Sequence, residues 1–124
     1  MRHSGFLASF GYAFAGLWYV LRTQPNARVH LAITTVIVAL GLHLGLSPTQ
    51  WAIIVLTIGM VLAAEFFNTV AESAIDLATT EYHPLAKIAK DVAAGAVLLL
   101  AITAVVIGLL ILGPPLWKEL VTLF

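Results

Sequence analysis

The sequence predicts an all-α membrane protein, with three transmembrane helices preceded by an amphipathic surface helix. Two observations carry this expectation. Of the 124 residues, 61% are hydrophobic and only 10% are charged, whereas a soluble domain this short needs far more polar surface. Three long, nearly charge-free runs also alternate with short polar breaks, the pattern of membrane-spanning helices. The formal net charge is zero and there is no cysteine. Bulk electrostatics therefore offers nothing to nucleic acid, and disulfides and thiolate metal sites are excluded.

The first element is a short helix over residues 9–22, SFGYAFAGLWYVLR. Phe10, Phe14, Leu17 and Leu21 recur at three- to four-residue spacing, and Tyr12, Trp18 and Tyr19 suit the headgroup region. This is the form of a helix lying on the membrane. Arg2 and His3 resemble the charged start of a signal peptide, but no small-residue cleavage site follows, so the chain is expected to insert uncleaved. Thr23-Gln24-Pro25-Asn26 breaks the pattern, and Pro25 suits the start of the next helix.

The first span covers residues 29–46, with His30 and His43 near its ends and both assigned to the interface. Ser47-Pro48 reads as an N-cap with proline in the first turn. The second helix runs over 48–78, about 45 Å at 1.5 Å per residue, longer than the hydrocarbon core. It is expected to cross the bilayer over 48–67 and project beyond it to 78. A polar connection over 79–83 leads to Pro84, and the third span, 92–112, has neither charge nor proline. Gly113-Pro114-Pro115 is expected to stop it, leaving Trp117, Lys118 and Glu119 at the far interface. Arg2, Arg22 and Arg28 precede the first span, and Lys87 and Lys90 lie between the second and third. The positive-inside rule then puts the N-terminus and the 79–90 connection in the cytoplasm.

Five of the six acidic residues fall between positions 65 and 91. At 100° per residue, Glu65, Glu72 and Asp76 lie within roughly 20° of one line, with Asn68 beside it. Ionisable groups at the edge of hydrocarbon are costly, and the usual compensation is a site for an ion, a proton or a charged substrate. Glu65 is the most telling, because Ala63, Ala64, Phe66 and Phe67 surround it. Lys90-Asp91 stands where the third span enters the membrane. The small residues Ala93–Ala96 that follow are expected to let this helix approach the second closely, bringing Lys90 and Asp91 near its carboxyls. Ordinary snorkelling and charge pairing is the competing explanation for the Lys90-Asp91 pair.

There is no GxxxxGK[ST] or GxGxxG phosphate loop, no HExxH, no two histidines at i, i+4, and no GxSxG. What remains is carboxylates, an amide and a lysine at a membrane surface. Hard oxygen ligands suit Mg²⁺ bridging substrate phosphates, and such a set is sufficient for phosphoryl transfer, where catalysis is mostly positioning and charge neutralisation.

The segments EFFNTVAESAID and EYHPLAKIAKDVAAGAVLL closely resemble the prokaryotic diacylglycerol kinase family, which includes undecaprenol kinases. The family pattern is E-x-x-N-[ST]-A-I-E-x-x-x-D, then A-K-D-x-[AG]-[AS]-[AG]-A-V. Glu65, Asn68, Glu72, Asp76, Lys90 and Asp91 stand at its spacings. The stretches Tyr12–Leu17 and Asn26–His30 are also similar, so the resemblance covers nearly the whole chain. It implies a homotrimer with active sites shared between neighbouring subunits at the cytoplasmic face of the inner membrane. It implies transfer of the γ-phosphoryl of Mg-ATP to the primary hydroxyl of a membrane lipid.

On that resemblance Glu65 is the general base, Glu72 a Mg²⁺ ligand, and Lys90 a phosphate contact, with Asn68 and Asp91 orienting them. Asp76 completes the nucleotide-side motif, and Tyr12 and Gly16 match positions lining the nucleotide site. Two departures stand out. Gln24 occupies the place of a second metal-site glutamate, and an amide is a weaker, neutral ligand. Val70-Ala71 replaces Ala-Ile, a mild packing change. The form of the second segment leans toward the Gram-positive and cyanobacterial branch, and thus toward undecaprenol, with diacylglycerol as the other acceptor. Two readings from other classes stand beside it: a proton- or ion-conducting protein using Glu65 and Glu72, and a regulatory subunit whose kinase site has decayed.

Overall fold

Helix α1 (Phe6–Thr23) turns at Gln24 directly into α2 (Pro25–Leu44), followed by α3 (Pro48–Ala78) and α4 (Pro84–Thr122). The computed structural model describes residues 5–124; Arg2 and His3, which enter the topology expectation, lie outside the described residues. All regular structure among the described residues is helical, and α2, α3 and α4 are long and apolar enough to cross a membrane.

Local chemistry sets each boundary. Pro25, Pro48 and Pro84 all open helices, where the missing N–H costs nothing. Ser47 and Gln50 form a capping box: Ser47 Oγ accepts from the Gln50 N–H, and Gln50 Oε1 accepts from the Ser47 N–H. His83 caps α4, its Nδ1 accepting from the Leu85 N–H at 3.2 Å. Gly45 ends α2 with φ 68°, a left-handed conformation that favours glycine. Gly41 is buried one turn earlier; a Cβ there would stand 2.8 Å from the Trp51 ring. That close approach makes α2 and α3 a tight antiparallel hairpin.

Helix α4 departs from expectation at its far end. It continues through Gly113, Pro114 and Pro115 to Thr122 instead of stopping there. The prolines deprive the carbonyls of Leu110 and Ile111 of their helical donors, a loss that spanning helices tolerate when packing supports them. Here Leu112 is buried just before the pair and Leu116 lines a groove against α2 just after it. The expected close approach of α4 to α3 is present and brings Lys90 to Asp76, but Ala93–Ala96 do not act together in it. Only Ala93 is partly covered, and a Cβ on Gly95 would meet nothing within 4 Å. Four consecutive residues fan out by 100° each and cannot share one face. The face that α4 turns to its neighbours recurs through Lys90, Ala93, Val97, Ala101 and Ala104 instead.

The buried apolar set is small: Val20, Ala27, Ile54, Val61 and Leu112. Large side chains such as Phe14, Val36, Leu56, Leu99 and Leu110 are exposed on the outside of the bundle, as lipid-facing helices require. Against that sparse core, a buried glutamate is conspicuous.

Candidate active site

Helix α3 carries its polar face from dry to wet over three turns. Glu65 is 2% exposed, the largest fully buried side chain among the described residues. Thr69 is also buried, Asn68 and Glu72 are half-buried, and Asp76 is exposed. The Asn68 amide Nδ2 donates to Glu72 Oε1 at 3.3 Å, the i, i+4 pairing that the spacing permits. Thr69 Oγ1 donates to the Glu65 backbone carbonyl at 2.9 Å, and so gives nothing to the carboxylate.

Two buried acceptors on this face have no hydrogen-bond donor: Glu65 Oε1 and Asn68 Oδ1. His30 Nε2 lies 3.2 Å from Glu65 Oε1, at ion-pair distance but without the alignment of a hydrogen bond. Unpaired buried oxygens are costly and rare, which makes this stretch of α3 the candidate site.

The other residues of interest divide in two. Lys90, half-buried at the base of α4, donates to Asp76 Oδ1 at 2.6 Å and joins the α3 face. Asp91 does not join it; it pairs along its own helix with Lys87. Both pairs border a cleft of about 670 Å³ at the α3–α4 turn, lined also by Thr79, Tyr82 and His83. Gln24 is half-buried at the junction of α1 and α2, and its side chain makes no cap to α2. Tyr12 and Gly16 sit one turn apart on α1. A second, apolar groove of about 420 Å³ runs along α2, α3 and α4. Its wall includes His30, Thr34, Thr57, Val61 and Leu109.

His30 is the residue that sequence reasoning placed at the interface and the structure sets against Glu65. The signal was present: in an antiparallel hairpin with a short turn, positions about equally far from that turn meet, and these two are such positions. The Lys87–Asp91 pair was legible too, as opposite charges four apart on a helix. No group of three or more His, Asp or Glu among the described residues is close enough to cage a metal within one chain.

Three helices long and apolar enough to cross a membrane, with a buried carboxylate, a lysine and further carboxylates gathered toward one end of the bundle, define the class: a small multi-pass membrane protein with an acidic face on α3. The model of the prokaryotic diacylglycerol kinase family matches residues 11–112, and the chain belongs to that family. It is a lipid kinase, a phosphotransferase with an alcohol acceptor. An undecaprenol kinase of Bacillus subtilis (strain 168) is 43% identical over 111 residues, 90% of each chain. A diacylglycerol kinase of Synechocystis is 45% identical over 116 residues, 93% of this chain and 66% of that one. A diacylglycerol kinase of Helicobacter pylori (strain 26695) is 36% identical over 62 residues, half of this chain.

Proposed function

We propose that this chain transfers the γ-phosphoryl group of Mg-ATP to the primary hydroxyl of undecaprenol or diacylglycerol, with Glu65 as general base. The observation that carries this reading is the buried carboxylate of Glu65, which its own helix leaves without a donor and whose neighbours His30 and Val61 line an apolar groove. A lipid in that groove would bring its hydroxyl to the carboxylate from the membrane side, while a nucleotide would reach the same face from the water.

In the transfer, Glu65 takes the hydroxyl proton as the oxygen attacks the γ-phosphorus, and ADP leaves with the bridging oxygen. General-base help of this kind is worth about 10²–10⁴-fold. Lys90, held by Asp76 at rest, neutralises phosphate charge when ATP enters the cleft. Asn68 orients Glu72, and Asp91 holds the base of α4 through Lys87. Tyr12 and Gly16 flank the nucleotide from α1.

The residues present fit Mg²⁺ bound together with a nucleotide. Glu72 has a half-buried carboxylate, Gln24 an uncommitted amide oxygen, and Asn68 Oδ1 is an unpaired hard acceptor. Mg²⁺ commonly takes only one or two protein oxygens and completes its shell with phosphates and water. When bound, it supplies charge stabilisation to the transferring phosphoryl group. The same sparseness within one chain supports a homotrimer with sites completed by a neighbour. The exposed Phe10, Phe14, Trp18 and Tyr19 of α1 support it as a surface helix, and Arg22, Arg28, Lys87 and Lys90 support the cytoplasmic side of the inner membrane for it.

Relatives named for the two lipids are equally similar to this chain, so the acceptor is decided by assay. ATP-dependent phosphorylation of undecaprenol and diacylglycerol is measured side by side in mixed micelles with Mg²⁺, with Glu65→Gln as control. Activity on either lipid that disappears in the variant supports the proposal. Folded protein that phosphorylates neither lipid, or ion flux through vesicles that changes in Glu65→Gln without ATP, overturns it.

A further inference from the structure

Glu65 has no hydrogen-bond donor on its own helix. Thr69 donates to a backbone carbonyl, and the Asn68 amide is committed to Glu72. The lysines at this end are also engaged, Lys90 with Asp76 and Lys87 with Asp91. A titratable side chain that reaches the carboxylate from another helix is His30, on the second turn of α2. Its side chain is 20% exposed against 3% for Glu65, and it also lines the apolar groove.

We infer that His30 is the positioning residue for Glu65. An Nε2–H directed at Oε1 holds the carboxylate in one rotamer, so that its other oxygen is presented to the lipid hydroxyl. Catalytic hydrogen bonds are often long or misaligned before substrate binds and tighten afterwards, and these two atoms already stand 3.2 Å apart. This rests on the reading of Glu65 as the base. The step balances without His30 changing state. The hydroxyl proton passes to Glu65, and the O–H electron pair becomes the new O–P bond. The bond from γ-phosphorus to the bridging oxygen breaks, its pair leaving on ADP, while His30 keeps its proton.

The test uses the full chain in mixed micelles with Mg-ATP and the accepted lipid, comparing His30→Leu, His30→Gln, Glu65→Gln and the Glu65→Gln/His30→Leu double variant. Loss of orientation at a reacting group costs up to about 100-fold, so His30→Leu is expected to lower kcat by about that factor while KM for ATP stays at its wild-type value. His30→Gln, whose amide can present an N–H at a similar reach, restores most of the rate. Adding His30→Leu to Glu65→Gln costs nothing further, because the carboxylate it positions is already gone.

A His30→Leu enzyme with wild-type kcat overturns the inference. So does a folded His30→Gln enzyme as slow as His30→Leu, or an additional loss in the double variant. If His30→Leu does not fold, His30→Asn, polar but too short to reach Oε1, takes its place with the same expectations. Failure of the base reading is distinguishable: there Glu65→Gln itself retains activity, whereas here Glu65→Gln is inactive and only the His30 variants behave as wild type.

Discussion

Helix α2 carries a histidine at each end, and each meets a carboxylate at nearly the same distance. His30 Nε2 is 3.2 Å from Glu65, and His43 Nε2 is 3.0 Å from Glu119. The two pairs differ in surroundings. Side-chain exposure is 20% and 3% in the first and 65% and 48% in the second. In water the outer pair gains little, because solvent screens it and two side chains must be held in place. Inside the bundle the carboxylate has lost its hydration and cannot recover it. Proximity alone therefore does not mark a site. A buried carboxylate that its own helix leaves without a donor does, because groups from elsewhere must complete it.

The largest effect expected from this contrast falls on Glu65. Glu65→Gln should lower phosphoryl transfer by about 10²–10⁴-fold without unfolding the protein, since glutamine keeps the side chain's volume and relieves the cost of a desolvated charge. Calorimetry beside the rate assay checks both halves, and a variant that loses rate only because it melts would break the comparison. Next comes the half-buried Glu72. Glu72→Gln should raise the Mg²⁺ concentration for half-maximal rate by about 10–100-fold, the usual scale for disturbing a metal's ligand environment. Gln24→Glu should move it the other way, and a Mg²⁺ titration of both variants reads the shift.

A smaller effect belongs to the exposed end of the α3 face. Lys90→Met should raise KM for ATP by about tenfold through the lost phosphate contact, with a lesser change in kcat. An unchanged KM would confine Lys90 to its bridge with Asp76. The smallest effect is at the outer pair: His43→Leu should change unfolding free energy by no more than about 1 kcal/mol and leave lipid phosphorylation unchanged. A large loss of either there would mean that burial is not what separates the two pairs.

Much of this was readable from residue order. The spanning helices follow from apolar runs that local composition determines, and the α3 face follows from spacing on a single helix. What escaped depended on partners in other segments. His30 looks interfacial because nothing near it in sequence hints at Glu65, and only the close Gly41–Trp51 approach fixes the hairpin register that joins them. Gly113-Pro114-Pro115 has every local mark of a helix end, yet Leu112 and Leu116 on either side keep the axis continuous. Ala93–Ala96 are contiguous in sequence, yet helical phase turns only Ala93 inward. In each case tertiary packing overrode a local rule.

The most direct measurement is lipid phosphorylation by Glu65→Gln and Glu119→Gln, side by side, in the same micelles with saturating Mg-ATP. Both lose one carboxylate charge from a histidine pair on α2. The account predicts a fall of about 100-fold or more for the first and a wild-type rate for the second. Equal rates in the two variants, whether both high or both low, would contradict it.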